Sequence, residues 1–383
     1  MPDILAAVAR MPGGELSLET LSIDEPRANE ILVRVVATGV CHTDLVARDR
    51  QLPVPFPVVL GHEGAGIVEK TGSAVSKVAP GDPVVMTFAS CGHCPSCLDH
   101  AAAYCHQFFP RNFFAVRPDG STTLSAAGEK IHGNFFGQSS FATFAICDER
   151  NIVKVPADVP LELLGPLACG IQTGAGSILN VLRPQAGERI AVFGVGSVGL
   201  SAIMACRLVG AGTIIAVDRH DSRLALAREL GATHTINGGD KDADEEIRAI
   251  TGYGVDYALD TTGNALVVRQ AVESLAPRGV CGIVGASNQE VTLDLTRLMS
   301  AGRSVRGIVE GESTPDVLIP RLIDLYRQGR FPFDKLVTFY PFEQINQAIH
   351  DSERGVTVKA IVRMPSWTTA AGEARRSSSV ITN

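Results

Sequence analysis

The chain has 383 residues, 45% of them hydrophobic and 20% charged, with a formal net charge of −7 at pH 7. Such a length and composition suit a globular protein of two domains, and an acidic balance without a long Lys or Arg run argues against a nucleic-acid partner. No apolar run reaches membrane-spanning length and no cationic stretch precedes an apolar one at the N-terminus, so the expectation is a cytoplasmic protein with no membrane partner.

In chain order, apolar and β-branched residues predict strands over 31–38 and 66–69, then a turn and strand over 81–86. Glycine, proline and short strands dominate up to about residue 155, which predicts an antiparallel, partly open β body. A loop-rich segment with several phenylalanines follows at 107–140. From Gly170 onwards the pattern changes. Short apolar runs at 189–193, 213–217, 257–259 and 280–284 alternate with helical patterns, one of them over 222–230 and ended by Gly231. Strands without polar alternation are buried on both faces, which predicts a parallel, doubly wound sheet. Mixed elements return after about Val309, with a helix at 316–328 and a strand at 358–363. Residues 366–383, small and polar with a serine run, read as a disordered tail. The fold class is therefore α/β: a mostly-β domain over 1–170, a doubly wound domain over 171–308, and 309–365 rejoining the first.

Of the nine cysteines, four are spaced Cys91-x2-Cys94-x2-Cys97-x7-Cys105. Four thiolates complete a tetrahedron and leave no vacancy, so a zinc in this lobe, about 91–105, would be structural; an iron–sulfur cluster uses the same ligand type. Cys147, Cys206 and Cys281 lie in apolar stretches and read as small buried hydrophobes. Three further motifs, Gly39-Val40-Cys41-His42-Thr43-Asp44, Gly61-His62-Glu63-Gly64 and Cys169-Gly170-Ile171-Gln172-Thr173-Gly174, supply two thiolates and one imidazole. That is the donor set of a zinc with an open fourth position.

After the strand predicted to end at Phe193 comes Gly194-Val195-Gly196-Ser197-Val198-Gly199 and then an apolar helix, with Asp218 nineteen residues beyond Gly199. Strand, glycine turn, helix and distal carboxylate together predict a dinucleotide site: backbone N–H groups face the pyrophosphate and the acid binds the adenosine ribose hydroxyls. The acid favours NAD, while Arg219 beside it leaves a 2′-phosphate open.

These motifs together resemble the zinc-dependent medium-chain alcohol dehydrogenases, and the resemblance extends from Leu5 to Met364. Within that family the chain is most similar to bacterial aryl-alcohol (benzyl-alcohol) dehydrogenases, through Pro166-Leu167-Ala168-Cys169-Gly170-Ile171-Gln172-Thr173-Gly174 and Gly133-Asn134-Phe135-Phe136-Gly137-Gln138-Ser139-Ser140-Phe141. The resemblance implies a discontinuous GroES-like catalytic domain and a Rossmann cofactor domain, two Zn2+ per subunit, and NAD-dependent, reversible oxidation of aromatic or allylic primary alcohols. Cys41, His62 and Cys169 would bind the catalytic zinc, Asp44 would fix the imidazole tautomer, and Glu63 would approach the metal transiently. Thr43 would accept the alcohol proton. A histidine that relays this proton in many relatives is replaced by Val46, so water or another group would carry it onward. His42 and Lys359 would contact the pyrophosphate; Thr173 and the backbone around Val284, Ile308 and Glu310 would lie near the nicotinamide. Phe88, Phe135, Phe136 and Val309 would wall the substrate pocket.

Relatives form dimers through the edge of the cofactor sheet, so a homodimer or tetramer is expected. Two other activities share the ligand set: a general primary alcohol dehydrogenase and a glutathione-dependent formaldehyde dehydrogenase, though the latter's acidic and basic adduct contacts are not found in 49–59. A regulatory or structural protein on this scaffold would have no need for Cys41, Thr43, His62 and Cys169 together.

Overall fold

The computed structural model describes residues 3–239, 242–286 and 289–365; the tail expected at 366–383 lies outside the described residues. Three sheets organise the chain. A five-stranded antiparallel sheet runs in the order Val58–Val59, Asp3–Ala9, Ser17–Ile23, Leu124–Ala126, Glu129–Ile131. Beside it, Ile152–Lys154, Pro83–Met86, Glu63–Thr71, Glu30–Gly39, Lys359–Arg363 and Val337–Pro341 form a second sheet, with Phe144–Asp148 also pairing with Glu30–Gly39. The late strand Lys359–Arg363 docks antiparallel on Glu30–Gly39, so the end of the chain does rejoin the first β body.

The third sheet is parallel throughout, in the order His234–Asn237, Thr213–Asp218, Arg189–Phe193, Val255–Asp260, Leu275–Ile283, Ser304–Gly307. Its central strands are apolar because helices cover both faces: Ile190, Ala191, Val192 and Phe193 are fully buried. Numbered from its own first strand, the order is that of the doubly wound dinucleotide-binding fold. The expected helix at 222–230 is found as Asp221–Leu230, capped by Gly231, and that at 316–328 as Pro315–Arg327, with Leu318, Ile319, Leu322 and Ile323 turned into the core. None of the helices among the described residues is long and apolar enough to cross a membrane. Cys147, Cys206 and Cys281 are buried in apolar surroundings, as expected, and burial raises each thiol.

Helix Gly170–Gly176 joins the β body to the parallel sheet. At Gly170 an added Cβ would stand 3.2 Å from Ser197 Oγ, 3.6 Å from Glu63 Oε1 and 3.7 Å from Val198 Cγ2. A single small residue thus separates the glycine turn of one domain from the ligand motifs of the other.

Candidate active site

Cys41 is the N-cap of the short helix His42–Arg48, whose first turn carries Asp44. The Asp44 carboxylate accepts from the N–H of Cys41 at 3.0 Å and of Gly61 at 3.0 Å, and lies 2.8 Å from His62 Nδ1. Asp44 is 2% exposed and His62 1%. One carboxylate therefore ties two ligand motifs together and holds the imidazole as the Nδ1–H tautomer, leaving Nε2 as a lone-pair donor. Burial alone would lower the His62 pKa, but the neighbouring Asp44 and Cys41 overcome it and raise it well above the ordinary value.

Donor atoms of Cys41, His62, Glu63 and Cys169 all lie within 4.8 Å of one another. The two sulfurs are 4.0 Å apart, close to the ~3.8 Å that two 2.3 Å zinc–sulfur bonds at a tetrahedral angle require. His62 Nε2 is buried and has no hydrogen-bond partner, an orphaned acceptor that a metal would satisfy. The residues present thus fit a zinc. Contact with Cys169 pulls the Cys41 thiol well below its usual range against the opposing effect of burial, while the same contact and burial push Cys169 up. Thr43 Oγ1 stands 3.8 Å from Cys41 Sγ.

Glu63 is fully buried and Lys359 is 2% exposed. Lys359 Nζ donates to both Glu63 oxygens at 2.9 Å and to Val40 O at 3.1 Å. These bonds occupy all three donors of the ammonium, so Lys359, expected at the pyrophosphate, has none left for a phosphate and serves instead as the counter-ion of Glu63. Burial works against its charge, yet the ion pair raises its pKa. His42, by contrast, is exposed at the start of its helix, free to meet a ligand.

In the lobe, Cys91, Cys94, Cys97 and Cys105 converge in the same way, with sulfur pairs at 3.8 and 4.0 Å. Backbone N–H groups of Cys91, Cys94, His106 and Gln107 donate to these sulfurs at 3.2 to 3.4 Å. Donors aimed at sulfur stabilise thiolate charge: the N–H of His106 leads in bringing Cys94 down to about 6, while burial takes Cys105 up to about 12. Four converging sulfurs fit a structural zinc, whose tetrahedron they complete.

The glycine turn also fits its expected ligand. Helix Ser197–Val209 begins at Gly196 with no side-chain cap, so its first N–H groups are free for an anion. A Cβ on Gly199 would fall on the carbonyl oxygen of Gly194, so only glycine allows that approach. Asp218, at the tip of the second strand of this sheet, accepts from Val195 N at 2.8 Å and His220 N at 2.9 Å, which sets its carboxylate beside the turn. Arg219 is exposed and contacts His220 at 3.3 Å. Val284 and Ile308 emerge at the carboxyl ends of adjacent strands, joined through Ile308 N to Ile283 O at 2.9 Å. In open α/β sheets that edge is where ligands bind.

The phenylalanines divide. Phe136 stacks on the His62 ring with centroids 4.4 Å apart, and Phe135 meets it edge-on at 5.7 Å. Phe135 is fully buried and acts as core beneath the ligand, whereas Phe136 and Phe88 are each 4% exposed. Phe88 tilts against Phe108, and Val309 packs against the apolar core that contains Phe88, Phe135 and Phe136. Two functional side chains were not visible in the sequence. Gln138 donates to His62 O at 3.0 Å and accepts from Gly64 N at 3.1 Å, fixing the strand that carries the ligand; a lone amide after a phenylalanine pair gives no periodic signal. Glu310, expected only for its backbone, turns its side chain inward; a carboxylate interrupting the apolar run Ile308-Val309 was the available clue.

Two family models cover most of this architecture: the alcohol dehydrogenase GroES-like domain over residues 27–157 and the zinc-binding dehydrogenase model over 197–326. Geraniol dehydrogenase of Castellaniella defragrans is 47% identical over 361 residues, 93% of this chain and 96% of that protein. An alcohol dehydrogenase zinc-binding domain protein from Burkholderia ambifaria superposes with a TM-score of 0.93 at 55% identity, over 95% of this chain and all of the other. Benzyl alcohol dehydrogenase from Acinetobacter calcoaceticus gives 0.92 at 46%, with the same coverage. The chain belongs to the zinc-dependent medium-chain alcohol dehydrogenases, and it is an alcohol-oxidising enzyme of α/β fold with a GroES-like and a Rossmann part.

Proposed function

We propose that this dehydrogenase interconverts aromatic or allylic primary alcohols and their aldehydes, with NAD as the acceptor and two zinc ions per subunit. The observation that carries the substrate class is the aromatic wall set directly against a metal ligand, Phe136 stacked on His62 with Phe88 and Val309 in the same cluster. Flat rings and conjugated chains gain from offset contact with such a surface, where a saturated chain gains only area. Two relatives are named for geraniol and benzyl alcohol, an allylic and a benzylic primary alcohol.

Cys41, His62 and Cys169 would hold the catalytic zinc, and Cys91, Cys94, Cys97 and Cys105 the structural one. When bound, the zinc supplies Lewis acidity toward the alcohol oxygen and the nicotinamide supplies the hydride acceptor. The chain's own residues do the rest. Asp44 keeps the His62 tautomer, Lys359 neutralises Glu63, and Thr43 takes up the proton of the substrate hydroxyl. Val46 offers no acceptor beyond it, so the proton passes on to water. The Asp218 carboxylate, held by Val195 and His220, accepts hydrogen bonds from ribose hydroxyls and repels a 2′-phosphate, which supports NAD over NADP.

The exposed edge strand Ser304–Gly307, flanked by Leu295 and Met299 at 73% and 75% exposure, supports a homo-oligomer, dimer or tetramer. Nine free cysteines suit the reducing cytoplasm. The test is a panel of specificity constants over benzyl, cinnamyl, allylic and straight-chain alcohols and the glutathione–formaldehyde adduct, with NAD and NADP. Aryl or allylic alcohols should lead straight-chain ones by at least ~10-fold, the scale of about 1.4 kcal/mol of differential contact. A panel led by the glutathione adduct, or flat across alcohols, overturns the assignment; light scattering that returns a monomer overturns the assembly.

A further inference from the structure

Two buried carboxylates of the active site have no cationic partner among the described residues, and one of them, Asp44, is held by two backbone N–H donors and the His62 ring. Glu63 has Lys359, and two thiolates with a neutral imidazole balance a divalent ion. Glu310, 8% exposed, is bonded only by neutral groups: Gln172 Nε2 at 3.2 Å and Thr173 Oγ1 at 3.3 Å, both to Oε2. Burial raises its carboxyl to about 7, as expected for a charge without a counter-ion. A buried carboxylate in that condition gains from any cation that docks beside it.

Its position says which cation. Glu310 lies two residues beyond Ile308, just past the carboxyl end of strand Ser304–Gly307, on the sheet edge that also presents Val284. Its partners belong to the helix that starts next to Cys169. A dinucleotide with its phosphates on the glycine turn and its ribose on Asp218 extends along this edge toward the metal ligands. The loop is held there under strain: Glu310, Gly311 and Glu312 have φ of 50°, 62° and 46°, two of them left-handed residues with side chains, a condition that clusters at functional sites. A Cβ on Gly311 would lie 2.6 Å from Gln172 O and 2.9 Å from Thr173 O, so the loop rests directly on the helix.

We propose that Glu310 is the counter-ion of the oxidised nicotinamide ring, a fixed negative charge that favours the cationic form of the cofactor over the neutral reduced form. The inference rests on the reading of this protein as an NAD-dependent dehydrogenase and adds to it a residue that sets the direction of cofactor preference. Gln172 and Thr173 hold the carboxylate in place. Tight NAD+ and loose NADH speed release of the reduced cofactor, while the same charge opposes hydride transfer to the ring and shifts the bound equilibrium toward alcohol and NAD+.

The experiment measures dissociation constants on the zinc-loaded enzyme at pH 8.5, by calorimetry for NAD+ and by fluorescence for NADH. Glu310→Gln, isosteric and neutral, should weaken NAD+ by ~10-fold and leave NADH unchanged or tighter, a change of the size that one charge at close range produces in a partly screened site. Glu310→Asp keeps the charge and should hold the ratio of the two constants within about threefold of wild type on the same scale. If the Gln variant does not fold, Glu310→Ser takes its place. An unchanged ratio, whether both cofactors weaken together or neither does, overturns the proposal, as does an Asp variant that behaves like the neutral one. Wild-type enzyme that binds neither dinucleotide would instead overturn the NAD reading on which the proposal depends.

Discussion

Two sulfur-rich centres lie in one molecule and are built on opposite principles. The lobe takes all four donors from residues 91–105, and the groups that steady its sulfurs are backbone N–H donors from that stretch and the two residues after it. The other centre draws its donors from positions 41, 62 and 169, and its surroundings come from different parts of the chain: Asp44 holds His62, Lys359 pairs with Glu63, and Gln138 fixes the stretch that carries both. A local site can be completed and closed. A site assembled from distant elements keeps an unsatisfied Nε2 and buried charges, which is what a centre that must accept a substrate requires.

The largest expected effect tests that contrast directly. Cys169→Ser should lower kcat/KM by at least ~10³-fold, since the loss of a ligand removes several kcal/mol of Lewis-acid stabilisation, with a melting temperature near wild type. Cys94→Ser should do the reverse, costing about 3 kcal/mol of stability while the folded fraction keeps activity within about tenfold. Metal analysis, thermal melts and turnover on both variants decide it. A Cys94 variant that is fully folded yet as inactive as the Cys169 variant would erase the distinction.

Next in size is the buried ion pair beneath the catalytic ligands. Lys359→Met strands the Glu63 carboxylate, fully buried, and should destabilise the protein by about 3–5 kcal/mol in chemical denaturation. Adding Glu63→Gln to it should recover a large part of that loss, because the uncompensated charge is gone. If the double variant is no more stable than the single one, the pair is not what Lys359 contributes.

The same contrast explains what could be read from the sequence. The lobe was legible because its ligands are near neighbours, and so were the strands Arg189–Phe193 and Thr213–Asp218, whose continuous apolar runs announce burial on both faces. The outer strands of that sheet were not: His234–Asn237 buries one residue and Ser304–Gly307 none, so an edge strand lacks the hydrophobic signal. Cys41, His62 and Cys169 were found through their family contexts, since no spacing links them. Lys359 was placed at the pyrophosphate by its family context alone, and its buried partner Glu63, 296 positions away, comes into view only with the fold. Glu310 escaped for a related reason: only the fold reveals that its carboxyl turns toward Thr173.

The smallest effect concerns a contact between the lobe and the cofactor edge. Tyr104, one residue before the last lobe cysteine, donates to Glu312 Oε1 at 2.8 Å, and Arg306 meets the same oxygen at 2.6 Å. Glu312 ends the left-handed loop that carries Glu310, and the same hydroxyl lies 3.3 Å from Gly307 O, so Tyr104 links the lobe to the cofactor edge. That hydroxyl is 37% exposed as a residue, and a hydrogen bond open to water contributes about 1 kcal/mol or less. Tyr104→Phe should therefore lower the melting temperature by no more than about 4 °C and raise the NAD+ dissociation constant about twofold to threefold, leaving the lobe's zinc in place. If the variant retains its zinc and binds NAD+ as tightly as wild type, the lobe only braces the surface and the two centres are independent. If removal of one hydroxyl weakens NAD+ as much as Glu310→Gln does, the loop owes its strained shape to the lobe, and a closed structural site is part of how the open one is held.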